Sequence, residues 1–127
     1  MIAQEMIDQK IIFPGERRQH PRIEVALQVE VQLQSSDVPM RTQTTDISLG
    51  GCYVEMPSTL EVGTIVDMRL WLGGQEVHAR GVVVTCHPRF GNGIKFTSMS
   101  FEDENRLSCY LDAIADPPER DRRKRTA

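Results

Sequence analysis

The residues best suited to recognising a small polar ligand lie in Thr45-Asp46-Ile47-Ser48-Leu49-Gly50-Gly51-Cys52-Tyr53-Val54. Asp46 and Ser48 are two apart, so on an extended backbone their side chains leave from one face. Gly50-Gly51 follows at once, where the main chain can take positive φ or press against a ligand without a Cβ in the way. A carboxylate acceptor, a hydroxyl and bare backbone are thereby brought to one patch. Upstream stands a second cluster, Arg17-Arg18-Gln19-His20-Pro21-Arg22. Its guanidinium groups are planar forks that bind pairs of acceptors, including phosphate oxygens, and stack on flat rings. Read singly, each cluster has a plain alternative: an Asx-type turn closing a hairpin for the first, a solvated basic patch for the second.

These clusters must be carried by a small β-structure. Ile23, Val25, Leu27, Val29, Val31 and Leu33 alternate with polar or small residues, so one long strand is expected from Ile23 to about Gln34, half in a core and half in water. Ser35 to Pro39 makes a turn. Met40–Thr45 is expected as a second strand leading into the Asp46 motif, and Cys52–Met56 as a third. A fourth spans Thr64–Leu72, with Val66, Met68, Leu70 and Leu72 inward. Gly73-Gly74 is a hairpin turn. Gln75–Cys86 forms the fifth strand, His87–Asn92 a loop and Gly93–Thr97 the sixth. Six strands with tight turns and no helix between them predict an antiparallel barrel or sandwich. Ser100, followed by Glu102, Asp103 and Glu104, starts a helix whose stripe Leu107, Tyr110, Leu111 and Ile114 packs on the sheet.

Composition narrows the function. The 127 residues are 39% apolar and 26% charged, which fits one globular domain. No apolar run reaches the length of a membrane span, and Met1-Ile2-Ala3-Gln4-Glu5-Met6 lacks the basic start and apolar core of a signal peptide, so a cytoplasmic location without membrane insertion is expected. The three cysteines, Cys52, Cys86 and Cys109, are widely spaced and suggest neither a disulfide framework nor a zinc site. His20, His78 and His87 join no nucleophile or carboxylate dyad, so no catalytic residues are assigned and no enzyme activity is expected. The net charge of −3 hides an asymmetry. The end of the chain, from Asp116, carries a local excess of two positive charges and leaves −5 on the rest, a poor surface for duplex nucleic acid.

The arginine spacing Arg18-x-x-x-Arg22, the preceding Arg17, the Asp46-x-Ser48-x-x-Gly51 motif and the late strand Gly91-Asn92-Gly93-Ile94-Lys95-Phe96 together resemble the PilZ domain, a bacterial cyclic di-GMP receptor module. The resemblance implies an all-β fold, a six-stranded antiparallel PilZ-type barrel with a C-terminal α-helix. It implies an N-terminal extension at 1–15, the domain at 16–114 and a charged, unstructured tail at 115–127. The ligand-binding positions it implies are Arg17, Arg18, Arg22, Asp46, Ser48, Gly50 and Gly51. His87 reads either as an ordinary surface histidine or as an additional contact from the fifth strand. The ligand is cyclic di-GMP, with no other cofactor and no metal. Arginine forks suit guanine O6/N7 and phosphate, while Asp46 can accept the guanine N–H donors. The implied role is regulatory: binding reshapes the arginine loop and signals to a downstream protein partner. The rival reading is a PilZ-like interaction module that binds no nucleotide, and a nucleic-acid binder using residues 119–125 ranks third.

Overall fold

The structure, a computed structural model, describes residues 20–115. Arg17 and Arg18, the extension at 1–15 and the tail beyond residue 115 lie outside the described residues. Among the described residues, seven strands and one helix follow in order: β1 (Ile23–Glu24), β2 (Gln28–Leu33), β3 (Met40–Ile47), β4 (Gly51–Glu55), β5 (Ile65–Leu72), β6 (Gln75–His87), β7 (Gly91–Met99) and α1 (Phe101–Ala115). All pairings are antiparallel, and six strands form a closed ring: β2 pairs with β3 and β5, β5 with β6, β6 with β7, β7 with β4, and β4 with β3. The six-stranded barrel with a C-terminal helix is therefore the fold. Closure leaves none of these six strands with an unpaired edge along its whole length.

The expected long first strand is corrected: it breaks at Val25–Leu27, and the short β1 is an annexe on β3, pairing Ile23 with Ile47 and Glu24 with Asp46. The cause is the buried hydroxyl of Thr44. Its Oγ1 accepts from Leu27 N at 2.9 Å and donates to Val25 O at 2.7 Å, taking the place of ladder bonds. The register slips between Thr44 and Asp46, the mark of a bulge that bends β3. Two further slips in the β6–β7 pairing, at Arg80/Gly81 and Val83/Thr85, add curvature where the sheet must close.

The inward faces follow the sequence alternation. Val29 and Val31 of β2, Val66, Met68, Leu70 and Leu72 of β5, and Val77, Ala79 and Val83 of β6 fill the interior with Ile47, Val54 and Ile94. Gly73 and Gly74 both have positive φ, 57° and 100°, the backbone of a two-residue hairpin whose twist matches its strands. Helix α1 begins as its sequence asks: Ser100 Oγ accepts from Asp103 N at 3.0 Å, and three acids occupy the first turn. Leu107 and Leu111 are buried in the core and Tyr110 packs against it, so the helix closes over the sheet.

Half of the stretch expected as a loop at His87–Asn92 is strand. The turn is confined to Pro88–Phe90, and β7 already begins at Gly91. Gly-Asn-Gly reads as a turn, yet these glycines are there for close packing: a Cβ on Gly91 would overlap the Val54 carbonyl, and one on Gly93 would overlap Thr85 Oγ1. Asn92 between them is fully buried. Its amide accepts from Leu60 N at 2.8 Å and donates to Leu60 O at 2.9 Å and Thr85 O at 3.1 Å, pinning the β4–β5 connection to the barrel.

Candidate functional site

β1 matters beyond its two residues. By pairing with Ile47 and Asp46 it sets the residue before it, Arg22, beside the Asp46 carboxylate. Arg22 Nη1 lies 3.7 Å from Asp46 Oδ1. That separation is an ion pair without a close hydrogen bond. Asp46 Oδ1 is buried and has no hydrogen-bond partner among the described residues. Buried acceptors are normally satisfied, and leaving one without a partner costs about 1–3 kcal/mol. The two motifs of the sequence thus meet at an acceptor without a hydrogen-bond partner among the described residues.

Ser48 occupies a different position from the one its spacing suggested. β3 ends at Ile47, so Ser48 is a turn residue and does not continue an extended face with Asp46. It is buried, its N–H donates to Gly51 O at 2.8 Å, and its Oγ accepts from Gly50 N at 3.0 Å. The hydroxyl is engaged in bracing the turn, an arrangement typical of Ser beside a turn. Gly50 and Gly51 are likewise corrected: neither has positive φ, a property held among the described glycines by Gly63, Gly73 and Gly74. Gly51 is required by packing, because a Cβ there would overlap the Ile94 carbonyl on β7. At Gly50 a Cβ would stand 3.3 Å from His20 Cδ2, so the His20 ring rests on bare backbone.

His20, Arg22, Ser48, Gly50 and Gly51 rim a cleft of about 450 Å³ that also takes in Tyr53, Val84, Thr85, His87, Gly93 and Lys95, within the size range of small-molecule sites. His87 is there, its Nδ1 2.9 Å from the Tyr53 hydroxyl. Thr85 cannot reach outward freely, since its Oγ1 accepts from Gly93 N at 3.0 Å. The cleft walls contain Arg22, Lys95 and two histidines, and no Asp or Glu lines it. On a chain with net charge −3 this is a local reversal of sign that favours an anion. Just beneath the floor, burial, and secondarily the Asp46 carboxylate, push the Cys52 thiol up to about 12, with Arg22 opposing weakly. Cys52 is therefore a packing residue in thiol form. Burial also raises Tyr53, with smaller contributions from Cys86 and Asp46, so it stays a phenol.

Sequence reading missed Tyr53, Lys95, His20 and Val84. Alternation held the signal for two of them: Cys52 and Val54 point inward, so Tyr53 points out, and buried Ile94 turns Lys95 outward. What was missing was the register that sets Tyr53 opposite Gly93 and Lys95 opposite Gly51. Among the described residues no three His, Cys, Asp or Glu side chains gather to hold a metal ion. No helix there is long and apolar enough to cross a membrane.

Comparison with known proteins agrees with this architecture. The Bacillus subtilis inhibitor of motility, MotI/DgrA, superposes with a TM-score of 0.66 at 18% identity, covering 80% of this chain and 54% of that one. The PilZ domain of CeSA from a cellulose-synthesizing bacterium gives 0.60 at 25% identity, covering 75% and 98%. The PilZ domain of Escherichia coli YcgR, solved with c-di-GMP, gives 0.58 at 16% identity, covering 80% and 99%. The chain spans about half the length of the Bacillus protein. No curated protein matches it in sequence. The family model of the PilZ domain matches residues 16–113, more than half of the chain, and the chain belongs to the PilZ domain family.

Proposed function

We propose that this domain binds cyclic di-GMP at the cleft where Arg22 meets Asp46, and that binding regulates a partner protein. The observation that carries this reading is the buried Asp46 Oδ1, without a hydrogen-bond partner among the described residues and 3.7 Å from Arg22, which lines a cleft that also holds Lys95 and no carboxylate. A guanine supplies N–H donors for such a carboxylate and O6/N7 acceptors for an arginine fork, and its phosphates suit the cationic walls. Family membership supports the same ligand. Arg17 and Arg18 join Arg22 as guanine and phosphate ligands, Gly50 and Gly51 offer a flat floor, Ser48 holds that floor in shape, and His87 contributes from the far wall. Drawing the arginines of residues 16–22 onto the anion changes the surface that residues 1–22 offer to a partner. No residue is assigned a catalytic role.

The rival, an interaction module without nucleotide, draws on Ser48: its hydroxyl is engaged in the turn. Calorimetry with cyclic di-GMP separates the two. Saturable heat that Asp46→Ala reduces, with the melting temperature near wild type, supports the receptor. Absence of heat at saturating ligand favours the interaction module. If Asp46→Ala unfolds the domain, the carboxylate is a turn residue first.

A further inference from the structure

Two groups in the cleft, exposed Lys95 and half-buried Tyr53, belong to neither motif. Lys95 on β7 faces outward between its partners Gly51 on β4 and Val82 on β6. Of the arginines and lysines in the described residues, Arg22, Arg41, Arg69, Arg80 and Arg106 each stand within ion-pair distance of a carboxylate. Lys95 has no such partner among the described residues, and it lines the cleft. The second group is the ring of Tyr53. It lies against Gly91, where a Cβ would come within 2.8 Å of ring carbon, so a larger residue there would displace it. Its hydroxyl meets His87 Nδ1 at 2.9 Å, with the two rings 5.7 Å apart and tilted by 44°. Val84, 47% exposed, adds an apolar surface beside them.

We infer that Tyr53 and Lys95 form a second half-site of this cleft, in which the Tyr53 ring and Val84 take the face of one purine and the Lys95 ammonium takes an adjacent phosphate. The inference rests on the nucleotide reading above and adds residues that no motif names. Gly51, across from Lys95, and Tyr53 are two residues apart on β4, a rise of about 7 Å. The cation and the ring therefore receive different parts of one nucleotide unit. Arg22 and Asp46 hold the other end of the dinucleotide. An ammonium is a compact charge suited to phosphate, whereas an aromatic face accepts any base by stacking. No carboxylate in the cleft competes for Lys95.

The test is calorimetric titration of the full chain with cyclic di-GMP, comparing wild type, Lys95→Gln, Tyr53→Phe, Tyr53→Leu and Arg22→Ala. Lys95→Gln should weaken binding roughly two- to fivefold at low salt, a difference that shrinks as salt is added, with no change in melting temperature. Tyr53→Phe keeps the ring and should bind nearly as wild type. Tyr53→Leu should lose roughly 5- to 100-fold, the worth of one stacked base. Equal loss in Phe and Leu variants would overturn the stacking role, and an unaltered salt dependence in Lys95→Gln would overturn the phosphate role. Should Tyr53→Leu fail to fold, Lys95→Gln and the Gly93 and Lys95 amide shifts on titration decide, and unmoved shifts count against the half-site. Loss of binding in Arg22→Ala alone would sink the half-site and leave the receptor reading intact. A wild-type chain that gives no heat would remove both.

Discussion

Two clefts of similar size on this barrel have opposite electrical character. One, about 390 Å³, lies over β5, β6 and the start of α1, lined by Glu30, Asp67, Arg69, His78, Arg80 and Asp103 among others. Its arginines are matched: Arg80 Nε lies 3.1 Å from Asp67 Oδ1 and Arg69 Nε 3.3 Å from Glu76 Oε2, and His78 Nε2 lies 2.6 Å from that same oxygen. The other, about 450 Å³, joins Arg22 to Lys95 with no acid in its walls. The first cleft is lined by two arginines and the second by one, so counting them would choose wrongly. Pairing decides: the arginines of the first cleft lie 3.1 and 3.3 Å from carboxylates, whereas the second holds Lys95 without a carboxylate partner among the described residues and Arg22 at a looser 3.7 Å from Asp46.

The comparison can be broken at several points. The largest effect is expected from Gly51→Ala, whose methyl must displace the β7 backbone at Ile94: unfolding in denaturant should show a loss of about 1–3 kcal/mol, together with loss of ligand binding. Arg22→Ala should weaken cyclic di-GMP by about 1–3 kcal/mol in calorimetry while Arg80→Ala, from the paired cleft, leaves affinity unchanged. Equal losses would mean that the sign of the whole surface, and not the cleft, attracts the ligand. A third expectation concerns pH. The Cys52 thiol is raised from 9.0 to about 12 in the fold, so the unfolded chain loses its proton first and stability falls as pH climbs from 9 toward 12. Thermal melts should show that decline, and Cys52→Ala, less stable overall, should show a shallower one. The smallest effect is at the β6–β7 turn, where Arg89 adopts φ 70°. Arg89→Gly relieves that strain but frees the unfolded chain, for a net gain of about 0.5 kcal/mol or less.

Much of the barrel was legible because its signals are local. Alternation through Val29, Val31, Val66, Met68, Leu70 and Leu72 needs only the period of a strand, Gly73-Gly74 only the φ of a turn, and Ser100 only the demand of a helix start. What escaped was set across the sheet. The break after Glu24 depends on the hydroxyl of Thr44, a side chain of the neighbouring strand. Gly91 and Gly93 pass for turn residues until the Val54 carbonyl and Thr85 hydroxyl are seen beneath them. The same holds at the site: the meeting of Arg22 with Asp46 was legible from two motifs, whereas Tyr53 and Lys95 needed the β4–β7 register, and the engagement of Ser48 needed the turn geometry.

The Thr44 splice has a mechanical consequence. Because the hydroxyl interrupts the ladder between Val25 and Leu27, the ring of six strands is complete without β1, which clings to β3 through two residue pairs and a hydroxyl relay. That strip stands outside the closed hoop, although its Ile23 packs against the core. The one arginine among the described residues at the cleft immediately precedes it, so the positive charge beside Asp46 is carried by a segment that the hoop itself does not contain.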